Sequence, residues 1–131
     1  RWLPMAFDED FAMMISLISR DGTDRNPGGM VLHGERYQQI REVAIDTDWD
    51  DDGYQTGLTA VVSTDERTYE VRGTVTSLIP LRNRRTTPDG ELLHTRITEG
   101  LTRYRCDAKT GWGLSEYLDQ VVDGRPVGMG V

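Results

Sequence analysis

The sequence predicts an all-β fold, an antiparallel up-and-down meander curled into a barrel or a strongly bent sheet. Three observations predict it. Apolar residues recur with a period of two rather than 3.6 over most of the 131 residues. The most regular run is rich in β-branched side chains, which suit a pleated, half-buried surface. Short segments are divided by turn formers, with 14 Gly and 5 Pro in the chain. Curling removes the exposed edges that a flat meander of six or seven strands would carry.

Each segment has its own reason. Phe11–Ser19 is apolar on both faces, with Phe11, Met13, Ile15 and Leu17 on one and Ala12, Met14 and Ile18 on the other. It predicts a strand buried on both sides, and so a covering surface from another domain or a second subunit. It lies between Asp8-Glu9-Asp10 and the turn-rich Asp21–Gly29. Tyr37–Thr47 alternates through Ile40, Val43 and Ile45 and leads to the acidic turn Asp50-Asp51-Asp52-Gly53, a hairpin signal. Leu58–Ser63 reads as a strand, closed by Asp65-Glu66-Arg67.

Thr68–Leu81 is the clearest strand. Tyr69, Val71, Gly73, Val75, Ser77, Ile79 and Leu81 share one face, and Thr68, Glu70, Arg72, Thr74 and Thr76 the other. Arg82–Gly90 then reads as a polar connection ending in Thr87-Pro88-Asp89-Gly90. A long strand follows from Glu91 to Cys106, bent or bulged near Gly100. The turn Asp107–Gly111 leads into a strand from Trp112 to Val122, and Asp123-Gly124-Arg125-Pro126 forms a last turn.

Composition bounds the partners. The chain carries 22 Asp+Glu against 15 Lys+Arg, a formal charge of −7. This balance argues against a nucleic-acid partner and against a polybasic anchor on an anionic membrane surface. No apolar stretch approaches the roughly 18 residues of a membrane span. The single cysteine, Cys106, permits neither an internal disulfide nor a thiolate metal cluster and fits a reducing, cytoplasmic setting. No P-loop or G-x-G-x-x-G is present, so no cofactor is expected. Without repeat or linker, residues 1–131 form one domain. The start Arg1-Trp2-Leu3-Pro4 reads as an entry into the middle of a longer protein.

Four groups offer chemistry. Asp48, Asp50, Asp52 and Gly53 match the opening of a calcium loop, but the twelfth position is Thr59 rather than a bidentate Glu. A solvated hairpin end is the plainer reading. Glu116 shares a face with Trp112, Leu114 and Leu118, where a carboxyl must be paired or protonated; Arg103 or Arg105 is its expected partner. A structural ion pair is the alternative to a catalytic acid. On the Glu91–Cys106 strand, Glu99, Leu101, Arg103 and Arg105 share one face and His94, Thr98, Thr102 and Tyr104 the other. Either set would bring polar groups into an apolar cavity, as a small-molecule site requires. Arg82, Arg84 and Arg85 read as a solvated loop that can meet an anionic ligand. Neither His33 nor His94 has a ligand-spaced partner, and Ser115 lies outside a G-x-S-x-G elbow.

Three stretches together carry a resemblance: Pro4–Met14, the Asp48–Tyr54 turn, and Gly111-Trp112-Gly113-Leu114-Ser115-Glu116-Tyr117. They resemble the C-terminal barrel of bacterial two-domain lipocalin-like proteins of the AttH and carotenoid 1,2-hydratase (hydroxyneurosporene synthase) group. The resemblance implies a lipocalin-like barrel packed on a preceding barrel or a homo-oligomer partner, with a small apolar molecule such as a lipid, terpenoid or steroid as ligand. The expected ligand contacts are Trp112, Leu114, Glu99, Arg103 and Tyr69. For a hydratase- or isomerase-type enzyme, Glu116 is the expected acid or base, helped by Tyr104 or His94. A purely structural domain that packs on a partner barrel is the third reading.

Overall fold

Alternating burial, set by the period-two pattern, makes nearly every segment of this chain a strand. The computed structural model describes residues 1–20 and 24–129, and among them all regular structure is β. The strands are β1 (Trp2–Asp8), β2 (Phe11–Arg20), β3 (Asp24–His33), β4 (Arg36–Gln39), β5 (Glu42–Trp49), β6 (Gln55–Ser63), β7 (Thr68–Thr86), β8 (Leu92–Cys106), β9 (Lys109–Val122) and β10 (Arg125–Pro126). No helix of the structure is long and apolar enough to cross a membrane.

The sheet runs β4-β3-β2-β1-β9-β8-β7-β6-β5, with β10 added to β9, and every pairing is antiparallel. Consecutive strands are therefore neighbours in every case but one, and the β1–β9 pairing joins the first strand of the meander to its last long one. β4 and β5, although consecutive, form no ladder, so the sheet is strongly bent but not closed. The link between them is tied to both sides: the Ile40 amide donates to Gly29 O and the Arg41 amide to Ser63 O.

The concave face holds the core. Leu3, Met5, Phe11, Met13, Ile15, Val31, Leu58, Val62, Tyr69, Val71, Tyr104, Cys106 and Tyr117 are buried there. Buried phenols need partners. Tyr104 donates to Leu114 O at 2.7 Å, Tyr117 pairs with Thr47 at 2.7 Å and Tyr69 donates to Gln38 at 3.3 Å. Gly73 lies beneath Tyr104, where a Cβ would fall 2.9 Å from Thr102 and 3.0 Å from Tyr104.

Several expectations change. The Arg82–Gly90 connection is instead a continuation of the hairpin, since β7 runs to Thr86 and pairs as far as Leu92. A bulge between Val75 and Ser77 inserts Thr76, so Ile79 and Leu81 turn away from the face of Tyr69 and Val71. One extra residue reverses every side chain beyond it. Of the segment Asp21–Gly29, expected to be turn-rich, Asp24–Gly29 belongs to strand β3 (Asp24–His33); the Asp21–Thr23 portion lies outside the described residues. Trp2–Asp8 is a strand that the sequence pattern did not mark, and Tyr37–Thr47 is interrupted at Ile40-Arg41. The turn between β8 and β9 is two residues, Asp107-Ala108, not five. Asp107 takes a left-handed φ of 54°, as a tight hairpin turn requires.

Candidate functional site

The candidate site lies between the C-terminal ends of β2 and β9. Trp2 is the last ladder partner of both Ser16 on β2 and Glu116 on β9, while β2 runs on to Arg20 and β9 to Val122. A cleft of about 820 Å³ occupies this place, open to solvent. Leu17, Ile45, Val121 and Val127 supply apolar wall, and Trp2, Ile18 and Leu118 continue it onto the convex face. Its size lies within the usual range of roughly 300–1,000 Å³ for small-molecule sites.

At the polar end of the cleft, Arg1 and Asp119 satisfy each other. The Arg1 guanidinium sits 4.0 Å above the Tyr117 ring, pairs with Asp119 at 2.9 Å and donates to Gly128 O at 3.1 Å. Both members of that ion pair are largely buried, so each depends on the other. Burial pushes the Tyr117 phenol above its ordinary range, while its hydrogen bond to Thr47 and the Arg1 charge pull against this. His94 also lines the cleft, and its Nε2 is buried without a hydrogen-bond partner among the described residues.

The residues singled out in the sequence divide between three places. Glu116 and His94 line the cleft. Tyr69 and Tyr104 belong to the packed core, and burial raises both phenols, that of Tyr104 strongly. Trp112, Leu114, Glu99 and Arg103 lie on the convex face, since their neighbours along β8 and β9 are the buried ones. Tyr104 and Glu116 thus project from opposite faces of the sheet.

On the convex face Glu99 stands directly opposite Glu116, while Arg103 opposes Trp112 and Arg105 opposes Thr110. The expected Glu–Arg pair is therefore replaced by two facing carboxyls. The two-residue turn sets this register; a five-residue turn would have shifted it. Burial first, and then the hydrogen bond and charge of Glu116, hold the Glu99 carboxyl above the usual carboxylate range. Its Oε2 is buried with no partner among the described residues. Around this pair lies exposed apolar surface from Trp2, Ile79, Leu101, Leu114, Leu118 and Trp112, the last 52 % exposed.

The acidic turn is organised by its own backbone. Asp50 Oδ1 accepts the amides of Asp52 at 3.0 Å and Tyr54 at 2.8 Å, and Gly53 takes a φ of 75°. Among the described residues no three His, Cys, Asp or Glu side chains converge as metal ligands.

What sequence reading missed is the N-terminal wall, Arg1, Leu17 and Asp119, and the basic rungs of the β7–β8 hairpin. The Asp89-Gly90 turn was the available signal for the hairpin. A family model described as a domain of unknown function, DUF7064, matches residues 1–121, from β1 through nearly all of β9. No curated protein and no solved structure matches the chain.

Proposed function

The chain belongs to the DUF7064 family of domains of unknown function, and we propose that it binds a small apolar molecule in the cleft between β2 and β9. In this reading the bent sheet is a lipocalin-like barrel left open between β4 and β5. The observation that carries it is the 820 Å³ cleft with Leu17, Ile45, Val121 and Val127 on its walls. Apolar burial of about 25 cal/mol per Å² supplies the affinity, and the Arg1–Asp119 pair and His94 supply the polar edge that orients a ligand. Fluorescence titration with the neutral dye N-phenyl-1-naphthylamine tests it. Saturable one-to-one binding is expected, weakened at least tenfold by Val127→Glu; Val127 is 42 % exposed, so the change leaves the core intact. No saturable binding contradicts the reading.

The convex face favours a second role, packing against a neighbouring sheet. Six large apolar side chains around an acidic pair exceed the scattered apolar residues of an ordinary surface. Wild-type protein is expected to self-associate in sedimentation velocity, and Trp112→Glu to abolish this. A wild-type monomer at high concentration contradicts self-packing through this face.

A further inference from the structure

The β7–β8 hairpin carries an unusual arrangement of charge on the face that continues the concave side of the sheet. Arg82 stands directly opposite Arg96, and on the next rung of that face Arg84 stands opposite His94. Like charges directly opposed across a ladder are destabilising, and the chain as a whole is acidic, with a formal charge of −7. A recess of about 530 Å³ opens here, lined by Arg82, His94, Arg96, Tyr54 and Asp52 among others. Among the described residues Asp52 is the single carboxylate of that lining.

The polar side chains of the recess are incompletely used. The Arg82 guanidinium makes no hydrogen bond or ion pair among the described residues, and His94 Nε2 is buried and unpartnered among them. Arg96 lies 4.7 Å over the Tyr54 ring and donates to Gly53 O, which fixes its guanidinium in place. His94 and Val121 line both this recess and the apolar cleft, so the two spaces adjoin. Arg1, by contrast, is already committed to Asp119 and Gly128.

We infer that the ligand is an amphiphile with an anionic oxygen head group, a carboxylate or a phosphate. Its apolar body lies in the cleft, and its head lies among Arg82, His94 and Arg96. Guanidinium–oxyanion hydrogen bonds are charge-assisted and fit both head groups. An anion between Arg82 and Arg96 also relieves their mutual repulsion, and it offers an acceptor to the His94 ring. This inference rests on the apolar-cleft reading and adds the ligand's polar half.

The test is displacement of N-phenyl-1-naphthylamine by dodecanoate, dodecyl phosphate and dodecan-1-ol, in wild type and variants. At least one anionic amphiphile is expected to displace the dye at about tenfold lower concentration than the alcohol. Which of the two does so better identifies the source of the head group. Arg82→Gln is expected to remove that advantage while leaving the alcohol unchanged, and Arg82→Lys to restore part of it. Arg85→Gln, on the other face of the same strand, is expected to change nothing. Equal displacement by acid, phosphate and alcohol in wild type overturns the head-group inference and leaves apolar binding standing. Loss of the advantage in Arg25→Gln rather than Arg82→Gln also overturns it, because Arg25 lines the cleft and not the recess. Failure of the dye itself to bind removes both.

Discussion

Gln55 is a buried amide that ties three strands together, and its replacement by leucine has a calculable cost. The side chain is 2 % exposed. Its Nε2 donates to Ser115 O on β9 at 3.0 Å, and its Oε1 accepts from Thr98 Oγ1 on β8 at 2.8 Å. Gln55→Leu keeps the volume but leaves a carbonyl and a hydroxyl unpaired, at about 1–3 kcal/mol each. Burying leucine in place of an amide returns about 1–2 kcal/mol. The net loss is about 2–3 kcal/mol, and the melting temperature falls by roughly 6–12 °C for a chain of this size. Adding Thr98→Val removes one of the stranded groups, so the double variant is expected to recover about 1 kcal/mol. Urea unfolding followed by tryptophan fluorescence measures both. Thr74→Val, exposed on β7, serves as a control expected within about 0.5 kcal/mol of wild type. The reasoning is refuted if Gln55→Leu also stays within that range, or if the double variant is no more stable than the single.

Other predictions follow from the same geometry. Glu99 has a folded-state pKa raised above the ordinary 4.5 by burial and by Glu116, so the folded protein holds this proton more tightly than the unfolded chain. Stability is then lost as pH rises from about 4.5 through the folded value. Glu99→Gln is expected to be more stable than wild type at pH 7 and equal to it below that window; denaturation at both pH values checks this. The Cys106 thiol, pushed up to about 11 by burial and then by Asp107, is expected to ignore a disulfide reagent at pH 8 until urea unfolds the chain. Deleting Thr76 removes the bulge yet leaves Ser77 opposite Leu101 and keeps Ile79 and Leu81 facing outward; circular dichroism and a melt are expected to show a folded protein within about 2 kcal/mol of wild type, and failure to fold contradicts this.

Legibility in the sequence followed period and turn chemistry. Tyr69, Val71 and Gly73 face inward as their alternation predicts, because nothing interrupts the pleat there. The reversal at Thr76 left no trace, since a bulge asks only for one more residue and Thr76 is as β-prone as its neighbours. Asn26-Pro27-Gly28-Gly29 looked like a turn for sound reasons, yet it lies in β3. Pro27 pairs with Leu17 where β3 has no partner on its other side, as β4 begins pairing only at Met30. There a missing amide costs no ladder bond. Gly29 takes a φ of 109°, with Met14 O where a Cβ would stand.

The site was harder to read than the fold. The shared face of Trp112, Leu114, Glu116 and Leu118 was visible in their spacing, but the residue opposite Glu116 depends on turn length. Asp107-Ala108 closes the hairpin and delivers Glu99 rather than an arginine. Arg82 and Arg96 meet only because β7 runs on past Pro80, through a stretch whose polarity reads as loop. Arg1 and Asp119 are far apart in sequence and have no local signal.

Amide chemical-shift mapping with dodecan-1-ol tests the central claim most directly, since it reports where an apolar chain settles. Shifts concentrated at Leu17, Ile45, Val121 and Val127 are predicted. Shifts confined to Leu101, Trp112 and Leu114 on the convex face, or no shifts at all, contradict the account.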